Sequence, residues 1–287
     1  MMNSKIFQQQ ASAPQQDYQT IIEAKKRWFS LDLKEICRFR ELLYFLAWRD
    51  IKARYKQSII GAGWAIIQPF MSMVVFSIFF GGLMKVPSDG YPYPIFVYAG
   101  LLPWTFFATA VSTSGNSLIV NMNLVSKVYF PKVILPTSAL TVAAVDFFIA
   151  FFIYFALMAF YAVVPGWNFF LLPFLIFATM VCALGTSMFL AALIVRFRDF
   201  RAALPFIVQI WMYATPVVFP TSIVPEKYQW IISLNPMAGI INGFRGVLLN
   251  KPIAWENLTI SMAMCLLFFV VGLIYFKSME DDFADLI

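Results

Sequence analysis

Six long apolar runs constrain this chain more than any other feature. They cover roughly 59–83, 93–113, 137–163, 169–195, 203–221 and 257–276. Each reaches or approaches the ~20 residues a helix needs to cross a bilayer. Hydrocarbon offers no water to backbone N–H and C=O groups, so spanning segments of this length must be helical. The fifth run is the weakest, because Pro205, Pro216 and Pro220 interrupt it. Composition agrees: 61% of the 287 residues are hydrophobic and 13% are charged, against about 45–50% and about 25% in a soluble domain. Such a chain lacks the polar residues to cover itself in water. The expected fold class is an all-α integral membrane protein with six transmembrane helices.

What is missing narrows the chemistry. Histidine is absent, which removes imidazole acid–base catalysis, imidazole metal sites and histidine proton relays. Cys37, Cys182 and Cys265 are far apart, form no CxxC, and read as small buried apolar residues. There is no GxxxxGK[ST], HExxH or GxSxG. No catalytic residue, metal ligand or bound cofactor is therefore expected on this chain. The inverted repeats and multiple intramembrane charges of secondary transporters are not visible either. A transporter of this kind would draw its energy from an ATPase on a separate chain, where ATP and Mg would be held.

Lys and Arg positions set the orientation. With the N-terminus inside, the inner pieces hold Arg40, Arg49, Lys52, Arg54, Lys56, Lys127, Lys132, Arg196, Arg198, Arg201 and Lys277, and the outer loops only Lys85, Lys227, Arg245 and Lys251. Both termini are thus expected in the cytoplasm. Residues 1–32 are polar and Gln-rich, lack the apolar stretch of a signal peptide, and read as a disordered extension. In 33–57, apolar residues recur at Ile36, Phe39, Leu43 and Leu46, and again at Tyr44, Trp48, Ile51 and Tyr55. Those are helical spacings with charges between them, which predicts an amphipathic interface helix on the cytoplasmic face. The permease domain then runs 58–276, and 277–287 is an acidic cytoplasmic tail. Before the last span, WIISLNPMAGIINGFRGVLLN is apolar but broken by Pro236 and glycines. A pair of short re-entrant helices fits it better than a seventh span. Its GxxxG, Gly239 and Gly243, implies only close packing.

Three groups of residues could carry function. Asp146 is the carboxylate deepest in a span, a functional candidate by default. No basic partner stands at helical spacing, and either a hydrogen bond to a neighbouring helix or a role in transport fits it. The second group is the inner loop SLIVNMNLVSKVYFPKVILP, where Leu118, Val120, Leu124, Val128 and Tyr129 interleave with Asn, Ser and Lys. Pro131 and Pro136 end helical structure and fix the angle at which the chain returns to the membrane. A short amphipathic helix there is something a motor subunit can push against; an ordinary surface loop is the alternative. RFRDFR (196–201) reads as a stop signal for span four, with contact to a motor or to anionic headgroups as the other role. The third group is aromatic. Tyr91, Tyr93, Phe96, Tyr98, Trp104, Phe106 and Phe107 gather around the outer end of span two and read chiefly as an interfacial belt, with a sugar-stacking surface as the sharper alternative. A belt explains Trp211 and Tyr213, inside span five, less well.

Four blocks together resemble a known family. RDIKARYKQSIIGAGWAIIQPF (49–70), YAGLLPWTFF (98–107), NLVSKVYFPKVILP (123–136) and RFRDFR (196–201), in this order and spacing, are similar to the type-2 permeases of ATP-binding-cassette polysaccharide exporters. These subunits export O-antigen, capsule or related glycans. The resemblance covers roughly 35–276. It implies a homodimer bound to two copies of a nucleotide-binding subunit in the bacterial inner membrane, carrying a lipid-linked glycan. It also implies that coupling falls to Asn121, Asn123, Lys127, Tyr129, Phe130 and Lys132. Trp64, Phe70, Phe76, Trp211 and Tyr213 would line the channel. Arg49, Lys52, Arg54 and Lys56 would meet the lipid diphosphate. A drug or peptide exporter of the same type, and a membrane-embedded glycan-processing enzyme, are the rival readings.

Overall fold

The computed structural model describes residues 33–56 and 61–286, and its regular elements there are all helices. The expected disordered extension at 1–32 lies outside the described residues. In chain order the helices are α1 (Leu33–Arg38), α2 (Arg40–Lys56), α3 (Gly63–Phe76), α4 (Tyr93–Gly115), α5 (Ser117–Val120), α6 (Met122–Lys127) and α7 (Ile134–Phe160). There follow α8 (Leu172–Arg196), α9 (Asp199–Tyr213), α10 (Glu226–Ser233), α11 (Pro236–Leu248), α12 (Trp255–Met279) and α13 (Phe283–Leu286). α3 widens into a π-helical stretch, Ser77–Leu83, that extends it by two turns. Five of these helices are long and apolar enough to cross a membrane: Gly63–Leu83, Tyr93–Gly115, Ile134–Phe160, Trp167–Arg196 and Trp255–Met279.

The fifth predicted span departs from expectation. Helix α9 stops at Tyr213, and its 15 residues reach only about 22 Å at 1.5 Å per residue. Pro216 and Pro220 lack the N–H groups that would continue it. The segment nevertheless runs beside α4 for most of that helix's length. Leu204 lies at Gly115, the Trp211 ring meets Phe107 at 5.1 Å, and the Val218 carbonyl accepts the Tyr93 hydroxyl at 2.6 Å.

Helix α4 is the hub. Seventeen of its 23 residues are buried, because α3, α7, α8, α9 and α11 pack around it. This overturns the belt reading of its aromatics. Tyr93, Phe96, Tyr98, Trp104, Phe106 and Phe107 are inside the protein, and Tyr98 stacks on Tyr154 while its hydroxyl donates to the Ala150 carbonyl at 2.9 Å. A belt needs a lipid-facing helix, and α4 has no such face. α8 and α12 cross closest of all: a Cβ on Gly272 would sit 2.0 Å from the Gly185 carbonyl oxygen. Small residues at a membrane helix crossing let backbones touch, which supplies the dispersion contacts that hydrophobicity cannot supply in lipid.

At the opposite end from α11, a separate apolar cluster gathers Leu46, Leu118, Val125, Phe130, Phe276 and Phe283. Helix α2 joins it through Leu46 and then climbs α7, meeting Asp146 about three turns along that helix. The two rows foreseen in 33–57 are sorted accordingly: Phe39, Leu43 and Leu46 pack inward, while Tyr44 and Trp48 are exposed.

Candidate functional site

The loop between α4 and α7 is built as a capped foot. Its exposed surface carries Val120, Met122, Val128 and Tyr129, the last 71% exposed. Asn123 and Lys127 are also exposed, whereas Phe130 and Lys132 turn inward. The buried Lys132 Nζ donates to the Val125 and Val128 carbonyls at 2.9 and 3.0 Å, and it lies 4.4 Å from the centre of the Phe130 ring. An ammonium there satisfies carbonyls that the end of α6 leaves open and suits the negative end of the helix dipole. Burial pushes this lysine below its ordinary pKa, and the nearby Glu280 carboxylate opposes that shift. Three further ties hold the foot. Tyr129 Oη donates to Glu35 at 3.3 Å, Arg49 Nη2 donates to Asn121 Oδ1 at 2.8 Å, and the Lys132 backbone N–H donates to Glu280 at 2.7 Å. Burial comes first, and Glu35 second, in holding the Tyr129 phenol above its usual pKa. Of the six coupling residues suggested by the resemblance, Tyr129, Asn123 and Lys127 are exposed, Asn121 is half-buried, and Phe130 and Lys132 turn inward and hold the loop's shape.

Asp146 has the cation that no helical spacing supplied. Arg54 Nη2 stands 2.6 Å from its Oδ2, and the Tyr55 hydroxyl donates to Oδ1. The pair lines a cavity of about 200 Å³ with Trp64, Gln68, Thr105 and Thr109. Of the four basic residues expected to meet a diphosphate, Arg54 is thus neutralised by Asp146 and Arg49 by Asp50 at 2.7 Å. Lys52 and Lys56 are exposed. The expected aromatic lining also divides. Trp64, Phe70 and Tyr213 are exposed; Phe76 is half-buried against Phe80, and Trp211 is held between Phe107 and Phe268 with its Nε1 on Asn235 Oδ1 at 3.1 Å. In RFRDFR, Arg196, Arg198 and Arg201 are exposed, and Arg196 leans on Phe197.

Arg245, counted above among the outer-loop charges, is not a solvated loop cation: it is 4% exposed. Its Nη1 donates to the Pro216 and Phe219 carbonyls at 2.8 and 3.1 Å, its Nη2 donates to Val217, and the guanidinium lies 3.9 Å over Phe96. It satisfies three carbonyls of the non-helical turn that follows α9. Gly100 is required beside it, since a Cβ there would stand 2.8 Å from both Arg245 Nη2 and the Val217 oxygen. The proline pair after Tyr213 was the one signal in the sequence that this turn would need an outside donor. Nearby, Lys251 pairs with Asp89 at 3.2 Å, and Asp89 also accepts from Ser222.

Residues 41–249 match the family model described as ABC-2 type transporter. The chain is 28% identical over 257 residues to the O-antigen export system permease protein RfbA of Myxococcus xanthus, covering 88% of this chain and 98% of that one. It is 26% identical over 251 residues to the protein of the same name in Klebsiella pneumoniae, covering 86% and 95%. The polysialic acid transport protein KpsM of Escherichia coli is 21% identical over 247 residues, with 81% and 91% covered. The matched region begins in α2 and ends just past α11, so it takes in the hub helix, the capped foot and the arginine-held turn together. The chain belongs to the ABC-2 type transporter family.

Proposed function

We propose that this chain is the membrane-spanning permease subunit of an ATP-driven exporter of lipid-linked polysaccharide of the O-antigen or capsule kind. The observation that carries the reading is the alignment of O-antigen and polysialic acid transport proteins over 91–98% of their own length. Shared substrate chemistry is a natural consequence of likeness over that whole extent, whereas a shared fold alone would permit any cargo.

On this reading six crossings place both termini in the cytoplasm. The fifth is α9 continued by the turn that Arg245 holds, non-helical backbone at membrane depth being tolerable where protein covers it. α10 and α11 then form the re-entrant pair on the outer side. The exposed apolar tip of the α5–α6 loop docks a separate ATPase, which holds the ATP and Mg, and the chain itself performs no catalysis. A second copy of the chain covers the apolar faces left open on α3 and α9, where Trp64, Phe70, Phe206 and Tyr213 stand exposed. Between the copies, aromatic faces contact sugars weakly and repeatedly, which lets a polymer slide. Lys52 and Lys56, which pair with no carboxylate among the described residues, are the ones left to meet the lipid diphosphate.

The test is made in the native cell. Loss of this chain should leave full-length glycan on its lipid carrier inside the inner membrane, with none at the surface. Unchanged surface glycan after loss of the chain would sink the proposal.

A further inference from the structure

We propose that the C-terminal segment 277–286 is a strut that carries motion of the α5–α6 loop into the last span, with Phe283 and Glu280 as its positioning residues. This rests on the reading of that loop as the motor's contact. In sequence the loop connects only to α4 and α7, so a hold on α12 must come through packing or hydrogen bonds rather than along the chain. The tail supplies that hold twice. Glu280 accepts the backbone N–H of Lys132 at 2.7 Å and also pairs with Lys277 at the end of α12. Phe283 is fully buried, its ring 5.1 Å from Phe276 of α12, in the same apolar cluster as Val125 and Phe130 of the loop. Composition alone hides this, because three aspartates around Phe283 make the segment read as a solvated acidic tail. One aromatic among them fixes it under the bundle, where α13 packs on α6. A carboxylate at 280 and a large apolar side chain at 283 therefore make the foot and the last span one packed unit.

The experiment uses the full chain, alone in detergent and in complex with its ATPase. In the chain alone, Phe283→Ala should speed amide exchange across 121–132 and the last turns of α12 together. Faster exchange confined to 280–286 would overturn the proposal whatever the chain transports. In the complex, Phe283→Ala should lower ATP-driven glycan export about tenfold, within the usual range of coupling between sites, with assembly and ATP hydrolysis retained. Phe283→Leu should restore export. Should Phe283→Ala not accumulate, Glu280→Gln serves in both measurements, with the same pattern expected at smaller amplitude. Native export and hydrolysis in both Phe283→Ala and Glu280→Gln would contradict the strut. So would loss of assembly in Phe283→Ala and in Phe283→Leu alike, since the tail would then be part of the docking surface. Absence of ATP-driven export from the native complex would fail the exporter reading itself, and the exchange result would still decide the strut.

Discussion

Arg54 and Asp146 show what a charge inside a span requires. Removing one partner leaves the other unpaired, which costs several kcal/mol when both are buried. Arg54 is 39% exposed, so solvent screens much of that. Arg54→Met should therefore lower stability by about 1–2 kcal/mol. Adding Asp146→Leu should recover most of the loss, read as unfolding midpoints in detergent. A double variant no better than the single one would mean that the pair is not what holds α2 to α7. Arg245 makes a harsher case. Arg245→Met strands three carbonyls at about 1–3 kcal/mol per unsatisfied group, and Gly100→Ala should act on the same contact from the other side. Each should lower the midpoint, and their effects should fall short of additive because they share one site. None of these partnerships was legible in the sequence. Arg54 and Asp146 sit on different helices, and Arg245 resembled any loop cation until its carbonyl partners were placed around it.

Among elements, KVYFPKVILP is the best example of what sequence does and does not carry. Its prolines and interleaved lysines marked a short structured piece between spans, and there α6 ends at Lys127, a turn passes Pro131 and α7 begins at Ile134. Which side chains face outward was not legible, because it depends on Glu280 and Phe283, some 150 positions away. Two variants separate surface from scaffold. Tyr129→Ala should weaken binding of the ATPase about tenfold, as truncation of a modest hot spot does, with little change in the chain's unfolding midpoint, since the one tie lost is an exposed hydrogen bond of 3.3 Å. Lys132→Glu should lower the midpoint itself, since it uncaps α6 and sets a second carboxylate beside Glu280. The reverse pattern would exchange their roles. Helix α4 teaches the same lesson. Its length and aromatic richness were plain, but whether those rings face lipid or protein is decided by five neighbouring helices. At α9 the prolines marked the run as the weakest of the six, but the stop at Tyr213 and the clasp that replaces the missing helix were both hidden.

For the whole molecule, the uneven burial of the spans is the telling feature. In its most apolar window the α4 span is 78% buried, but the α3 span only 11%. A lone α3 in lipid is tolerable, yet its aromatic surface and that of α9 suit a second copy and a sugar polymer between them. On the proposed function, this chain moves glycan only when a separate ATPase drives it. The most direct measurement reconstitutes the chain with its ATPase in vesicles carrying fluorescent lipid-linked polysaccharide, and follows the glycan's accessibility to an external lectin after ATP is added. Transfer should depend on ATP and stop when the ATPase is omitted or its hydrolysis is blocked. Transfer or chemical processing of the glycan by the chain alone, without ATP, would contradict it.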